Sequence, residues 1–353
     1  LMSIVLVADI GGTNSRFELL SYENGECTVV KPVESINSHS FEEFIPVIKS
    51  FLAGQPTPSI GVFAIAGPIK GNSVTFINTG WPPCTTDAIT NEVGIEKVVF
   101  LNDFQAAGYG VLDLKPEQVI QLIPGVRPIE HSPVVVIGPG TGLGFCFLTW
   151  NGRHYDAWGT EGGHSDFGPK NELQWKFSMY MLERVRGACQ KGEEYPQFEG
   201  VQAANQELVL AGVGAYNLYP FMRREFPELI NEEFDRLFEN NPSERMKLIM
   251  EYGFSGRDQL CQKSVEMWLQ MLGYECGNAI AKTLPYGGFY LIGGLVTRNA
   301  ENIARSQIFK EALYAKPPHI RAAINSCPFY VVNHEDCGML GVKKYAKNLL
   351  NIA

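Results

Sequence analysis

Runs of four to six mostly apolar residues recur along the chain, and each is followed by polar residues or glycines. The run at 4–7 is followed by Asp9, and the run at 134–137 is followed by Gly138. Strands that are buried on both faces of a sheet have this pattern. Similar runs predict further strands at 60–65, 74–77, 98–101, 287–292 and 329–332.

Between these runs, apolar residues recur every three or four positions, which is the spacing of amphipathic helices. Ser40 is a candidate N-cap for the first of them. Pro227 and Pro242 break one long charged helical region. The predicted helical regions are 41–52, 172–186, 221–251, 261–284 and 339–350. Alternating strands and helices predict an α/β fold, and 353 residues suggest two domains.

Two glycine turns stand out, because each connects a buried strand to a return strand. The first is Gly11-Gly12-Thr13-Asn14, and the second, about 130 residues later, runs from Gly138 to Gly144 around Thr141. Glycine lets the backbone approach an anion, and successive N–H groups form an anion-binding nest. We interpret the pair as an internal duplication whose turns bind one phosphate chain from opposite sides. An ordinary hairpin turn is the alternative.

Neither turn matches the common nucleotide-binding motifs. No Gly-Lys-Ser/Thr follows either one, which excludes a P-loop. Each turn leads into a strand and not a helix, which excludes a Rossmann fingerprint. Asp9 at the lip of the first turn suits a hydrated metal ion that bridges phosphates.

Polar residues follow two other strands, where an open α/β sheet binds its ligands. Asn78, beside Trp81, suits a sugar, because the amide binds hydroxyls and the ring offers an apolar face. A simple turn cap is the alternative for Asn78. Asn102 and Asp103 follow the strand at 98–101. Asp103 therefore either takes part in the chemistry of the site or only caps a helix.

The segment Glu161-Gly-Gly-His164 lets two polar side chains turn toward one ligand. Metal binding is the rival interpretation, but zinc needs further ligands nearby and no cysteine follows until Cys189. A purely structural histidine also stays open.

Composition limits the class of protein. Hydrophobic residues make up 45% and charged residues 19%, and the net charge of −9 disfavours nucleic acid or an anionic membrane as partner. The eight cysteines contain no C-x-x-C pair, and no membrane-length apolar run or export signal is present. Dispersed thiols of this kind predict a cytoplasmic location.

The motifs DIGGTNSR, LNDFQAAGYG, GPGTGLG, EGGHSDF and LIGGLVTRN occur in that order. Together they resemble the bacterial-type glucokinases of the sugar kinase, chaperone ATPase and actin superfamily, over essentially the whole chain. The resemblance implies an actin-like, ribonuclease H-like two-domain α/β fold with mixed sheets around a deep cleft. The smaller domain would comprise 2–112 with 338–353, and the larger one 113–337.

The resemblance also implies roles for individual residues. Asp103 would be the catalytic base that takes the proton of the 6-hydroxyl of glucose, and Mg²⁺ would bind near Asp9 through water. The sugar would be bound by Asn78, Asn102, Asp103, Glu161, His164 and Glu207. ATP would be bound by Ala8, Asp9, Ile10, Gly11, Gly12, Thr13, Asn14, Gly138, Gly140, Thr141, Gly142, Gly293 and Gly294. We also expect a homodimer.

Three rival functions remain at this point. A superfamily ATPase without a sugar site would use the same phosphate turns, but the cluster of Asn102, Asp103, Glu161 and His164 argues against it. A sugar-sensing regulator needs a DNA-binding extension, which we do not expect, because this sequence begins directly with the strand of the first glycine unit. A kinase for another hexose or an N-acetylhexosamine is not excluded, because discrimination at the 2-position depends on pocket shape.

Overall fold

The structure is a computed structural model that describes residues 2–77, 79–191 and 198–352. Its contacts group the chain into two compact units. Unit 1 comprises Leu1–Pro116, Cys146–Gly159 and Asp336–Ala353, and unit 2 comprises Glu117–Phe145 and Thr160–Glu335. The chain therefore passes between the units four times, and each unit contains one of the two glycine turns.

Fourteen strands lie in the described residues. They are β1 Ser3–Ile10, β2 Asn14–Glu23, β3 Glu26–Asn37, β4 Ile60–Ile65, β5 Ile69–Lys70, β6 Ser73–Val74, β7 Cys84–Thr85, β8 Lys97–Asn102, β9 Val119–Gln121, β10 Val134–Pro139, β11 Leu143–Trp150, β12 Tyr155–Thr160, β13 Gly288–Leu291 and β14 Phe329–Val332.

Fourteen α-helices accompany them in the same residues. They are α1 Phe44–Phe51, α2 Thr86–Val93, α3 Asp103–Gly110, α4 Glu172–Gln190, α5 Gln206–Leu210, α6 Gly212–Glu225, α7 Glu232–Asn240, α8 Arg245–Phe254, α9 Gln259–Thr283, α10 Gly294–Thr297, α11 Ala300–Arg305, α12 Gln307–Leu313, α13 Pro318–Asn325 and α14 Cys337–Leu349. None of these helices is long and apolar enough to cross a membrane.

Two mixed sheets carry the architecture. The first has the order β3-β2-β1-β4-β8, in which β1 pairs antiparallel with β2 and parallel with β4. The second has the order β12-β11-β10-β13-β14-β9, in which β13 pairs parallel with both neighbours and β9 is antiparallel. The five strands of the first sheet correspond in order to the first five strands of the second sheet. The strand order therefore supports the internal duplication inferred from the two glycine turns. A small third sheet has the order β5-β6-β7.

The apolar runs form the cores, as their pattern requires. All six residues of β4 are buried, and so are all six of β10. In unit 1, Phe44 and Phe51 of α1 pack with Phe17 and Phe63 of the sheet. Burial of large side chains like these is the main source of folding free energy.

Several predicted boundaries differ from the structure. Ser40 is not the cap of α1: it ends a short 3-10 turn, and Glu43 precedes the helix without a side-chain cap bond. The strand predicted at 74–77 is reduced to β6, Ser73–Val74. The long strand β3 had no recognisable pattern, because it pairs only with β2 and ten of its twelve residues are exposed.

Candidate active site

The first glycine turn joins β1 to β2 and is held in place by hydrogen bonds from Ser38. Gly11 N–H donates to the carbonyl of Asn14 (3.1 Å), and a Cβ on Gly11 would lie 2.7 Å from that oxygen. Ser38 donates its Oγ–H to the Gly11 carbonyl (3.0 Å), and its N–H to the Thr13 carbonyl (2.8 Å). Ser38 could not be found from the sequence, because only the folded chain brings it to the turn.

Asp9 lies just before this turn and is already paired with a cation. In the antiparallel register Asp9 faces Arg16, whose Nη2 lies 2.6 Å from Asp9 Oδ2. Arg16 also donates from Nη1 to Asp336, 320 positions away. A Cβ on Gly338, in the first turn of α14, would lie 2.8 Å from Asp9 Oδ2, so glycine allows the helix to approach the carboxylate.

Asn102 and Asp103 occupy the junction between β8 and α3. Asn102 is the N-cap, since its Oδ1 accepts hydrogen bonds from the N–H groups of Phe104 (3.0 Å) and Gln105 (3.3 Å). Asp103 is the first helical residue, and its Oδ1 accepts from the Phe104 N–H at 2.9 Å. Because Asn102 caps the helix, the N-cap alternative for Asp103 loses its main basis.

The Asp103 carboxyl has a raised pKa. Loss of hydration is the largest cause, and the negative charge of Asp9 adds to it, while hydrogen bonds from Phe104 and Asn102 oppose the shift. Asp103 is nevertheless exposed to solvent. The two facts are compatible, because a carboxylate that water can reach can still have enough protein atoms around it to lose part of its hydration. A perturbed carboxylate at a strand end is a candidate functional group.

The second glycine turn, in unit 2, is packed against the end of β13. A Cβ on Gly138 would lie 2.7 Å from the Ile292 carbonyl, and one on Gly293 would lie 2.6 Å from the Pro139 carbonyl. Gly293 also has φ of +105°, which favours glycine. The structure therefore brings Gly293 beside the second turn, and Gly294 follows as the first residue of α10.

The Glu-Gly-Gly-His segment is held on β11 by its glycines. A Cβ on Gly163 would lie 2.1 Å from the Leu143 carbonyl, and one on Gly162 would lie 3.0 Å from the Phe145 side chain. This close packing places Glu161 and His164 next to the start of β11, just after the second turn. The glycines thus have a structural role that complements the flanking polar side chains.

His164 is oriented by Asn205, the N-cap of α5. Asn205 Oδ1 accepts from the Leu208 N–H (2.8 Å), which directs the amide Nδ2 toward His164 Nδ1 at 3.1 Å. This bond favours the tautomer with the proton on Nε2. That nitrogen lies 3.7 Å from Glu161 Oε2 and 4.0 Å from Glu207 Oε1.

Glu207 lies in the first turn of α5 and contacts the second glycine turn directly. Its Oε2 accepts a hydrogen bond from the Leu143 N–H at 2.9 Å, and its side chain is only 14% exposed. The N–H of Gly212 donates to the Gly140 carbonyl at 2.8 Å. The only local signal for Gly212 is its position in the glycine-containing stretch 211–214 that follows Glu207.

The predicted residues therefore fall into two groups. Unit 2 brings the second turn together with Glu161, His164 and Glu207, and unit 1 contains the first turn, Asn102 and Asp103. Asn78 lies outside the described residues. Trp81 is not the sugar platform suggested by the sequence, because it is 3% exposed and stacks on Phe44 in the core.

Within residues 2–77, 79–191 and 198–352, no three His, Cys, Asp or Glu side chains converge as a metal site would require. A metal held by protein groups alone, as in a structural zinc site, would need three or four such ligands. Mg²⁺ is different, because it often uses one carboxylate together with water and substrate phosphates.

Comparisons with known proteins agree with this architecture. The family model described as Glucokinase matches residues 6–349. A glucokinase from Nostoc punctiforme is 29% identical over 361 residues, covering 99% of this chain and all of the relative. A glucokinase from Shigella dysenteriae is 28% identical, covering 98% of this chain and 97% of the relative.

Solved structures share the fold. The glucokinase from an Antarctic psychrotroph has a TM-score of 0.76 at 22% identity, covering 98% of this chain and 99% of that one. The glucokinase from Balamuthia mandrillaris, in complex with glucose, has a TM-score of 0.71 at 18% identity, covering 98% and 94%. A ROK family glucokinase from Streptomyces griseus, in complex with glucose and AMPPNP, has a TM-score of 0.59, covering 99% and 100%.

Two mixed sheets with a corresponding order of strands, each with a glycine turn at the end of a central strand, define the two-domain sugar kinase fold. The polar cluster beside the second turn is consistent with that class. Because the family model spans nearly the entire chain, the chain belongs to the Glucokinase family.

Proposed function

We propose that this protein is a glucokinase that transfers the γ-phosphoryl group of ATP to the 6-hydroxyl of D-glucose, the first step of glycolysis. The observation that carries the proposal is the cluster of Glu161, His164 and Glu207 beside the second glycine turn, in a chain of this family. If the polar side chains bind hydroxyls and the turn binds phosphate, the two functions lie side by side. A phosphoryl-transfer enzyme needs both on one scaffold.

Asp103 is proposed as the catalytic base. Phosphoryl transfer depends mostly on positioning and on neutralising charge, so the base first orients the attacking hydroxyl and takes its proton late. The raised pKa of Asp103 makes it a better proton acceptor than an ordinary carboxylate. Asn102 holds the start of α3 and so fixes the position of its neighbour.

Glu161, His164 and Glu207 are proposed to bind the ring hydroxyls of the sugar, together with Asn78 and Asn102. Charged acceptors form stronger hydrogen bonds with hydroxyls than neutral ones do. The Nε2–H of His164 would remain a donor, because Asn205 occupies Nδ1. The cluster thus offers both acceptors and a donor to a polyhydroxylated ligand.

The nucleotide is proposed to lie along the two glycine turns and Gly293–Gly294. Backbone N–H groups in such turns bind phosphate oxygens, which a chain of net charge −9 needs locally. Mg²⁺ would be held near Asp9 through water and would neutralise phosphate charge. Asp9 fits this role, since Arg16 contacts only its Oδ2.

A substrate panel tests the proposal. The purified protein is incubated with ATP, Mg²⁺ and glucose, mannose, fructose, N-acetylglucosamine or N-acetylmannosamine, and the sugar phosphate is identified by NMR. We expect glucose 6-phosphate, with the highest kcat/KM for glucose. A higher kcat/KM for another sugar would make this a different hexose kinase, and ATP hydrolysis unchanged by every sugar would make it a non-sugar ATPase.

We propose a cytoplasmic homodimer, and light scattering of the purified protein together with cell fractionation tests both. A monomeric mass at assay concentration would contradict the dimer.

A further inference from the structure

The two carboxylate oxygens of Glu207 face different partners. Oε2 accepts the Leu143 N–H at the end of the second glycine turn (2.9 Å), whereas Oε1 points toward His164 Nε2 at 4.0 Å. The side chain is only 14% exposed, so few rotamers are open to it. One side chain therefore touches both the phosphate-binding turn and the polar cluster proposed for the sugar.

The contact between Glu207 and the turn is tight. A Cβ on Gly142 would lie 2.6 Å from Glu207 Oε2, a separation that real Cβ atoms do not show. The turn is also held at its other end, where Gly212 N–H donates to the Gly140 carbonyl. Both anchors come from the segment that begins α5 and α6. A shift of this segment or of the carboxylate therefore displaces the turn.

We propose that Glu207 is a positioning residue that couples sugar binding to nucleotide binding. A sugar hydroxyl that donates to Oε1 restricts the carboxylate, which in turn stabilises the bond to Leu143 N–H. The turn is then ordered before the phosphates arrive, so the nucleotide loses less conformational entropy on binding. The sugar part of this inference rests on the proposed function.

Such coupling is reciprocal by linkage. The nucleotide orders the turn, the turn fixes Glu207, and the fixed carboxylate then binds the sugar more tightly. Coupling factors between sites are commonly about 5–150-fold. The proposal therefore predicts that each ligand raises the affinity of the protein for the other by the same factor.

Calorimetry with AMPPNP, with and without saturating glucose and with Mg²⁺ present, measures the coupling. In the wild type, glucose should raise the AMPPNP affinity at least about 5-fold. Glu207→Ala should abolish this factor and weaken AMPPNP binding even without sugar, because the turn loses its anchor. Glu207→Gln, which keeps an acceptor for Leu143 N–H, should restore the sugar-free affinity.

Glu161→Ala is the matched control, because Glu161 belongs to the same polar cluster but its side chain is 92% exposed, and its Oε2 lies 3.7 Å from His164 Nε2. It should weaken glucose binding yet keep the coupling factor at saturating glucose. Equal coupling in the two alanine variants, or an unchanged sugar-free AMPPNP affinity in Glu207→Ala, would overturn the proposal.

Two neighbouring glycines offer a second test from the side of the turn. Gly142→Ala would push on the Glu207 carboxylate, whereas a Cβ on Gly140 would meet only a backbone oxygen at 3.8 Å. Without nucleotide, Gly142→Ala should weaken glucose binding at least about 5-fold, as expected for a lost charged hydrogen bond, and Gly140→Ala should not. Equal glucose affinities in the two folded variants would contradict the inference.

Failure of the proposed function can be distinguished from failure of the coupling. If the wild type binds no glucose, the proposed function fails and the coupling fails with it. If the wild type phosphorylates glucose but shows no coupling, only this inference is overturned.

Discussion

Replacing Asp103 by asparagine removes one negative charge and one proton acceptor while leaving the local structure in place. Asn102, not Asp103, caps α3, and the Asp103 Oδ1 contact with Phe104 N–H is one that an asparagine oxygen also forms. The change therefore isolates the chemistry of the carboxylate from the folding of the helix.

The expected loss of turnover follows from the base role. General-base catalysis contributes about 10²–10⁴-fold in rate, so kcat should fall at least about 10²-fold. Poorer orientation of the attacking hydroxyl would add to this loss. Glucose and ATP should still bind, because neither is held mainly by this carboxylate.

A coupled assay for glucose 6-phosphate gives kcat, and calorimetry gives the two affinities. Asp103→Glu is a useful companion variant, since it keeps the charge but moves it by one methylene. Near-normal turnover of Asp103→Asn would refute the reasoning and require a base elsewhere. Loss of glucose binding in step with turnover would instead show that Asp103 is mainly a sugar ligand.

The raised pKa of Asp103 adds a pH dependence. Because the base must be ionised, kcat/KM should fall on acidification through a pKa above the ordinary 3.8. A carboxyl whose pKa is raised by folding favours the protonated form, so it lowers stability as pH rises from the unfolded to the folded pKa. Asp103→Asn should therefore be at least as thermally stable at pH 7, and a lower melting temperature would contradict this account.

Two further predictions concern the glycine turns. Arg16→Met leaves Asp9 and Asp336 without their cation, so the free energy of unfolding should fall by about 2 kcal/mol, and the ATP affinity should fall as well. Arg16→Lys should recover part of both losses. An unchanged melting temperature in scanning calorimetry would refute this role of Arg16. Gly293→Ala forces a left-handed φ and a 2.6 Å contact with a backbone carbonyl, whereas a Cβ on Gly294 meets nothing closer than 3.8 Å. Gly293→Ala should lower the free energy of unfolding by roughly 1–3 kcal/mol and raise the KM for ATP. Gly294→Ala should leave the melting temperature near that of the wild type. Equal melting temperatures of the two variants would contradict this role of Gly293.

Local patterns in the sequence were sufficient for most of the secondary structure. The runs at 60–65 and 329–332 are strands with the predicted bounds, because a strand buried on both faces must be apolar at every position. The position of Asp103 directly after a strand was also readable from local order. Edge strand β3 was not, since an exposed strand needs no apolar alternation.

Contacts between distant residues were decided only by the tertiary structure. Arg16 meets Asp336 across 320 positions, and Glu207 meets Leu143 across 64. The cap of α3 likewise depends on which of two adjacent side chains turns toward the helix. Sequence spacing determines which residues share a local element, whereas the pairing of elements depends on how whole strands and helices pack, so these partners could not be found from the sequence.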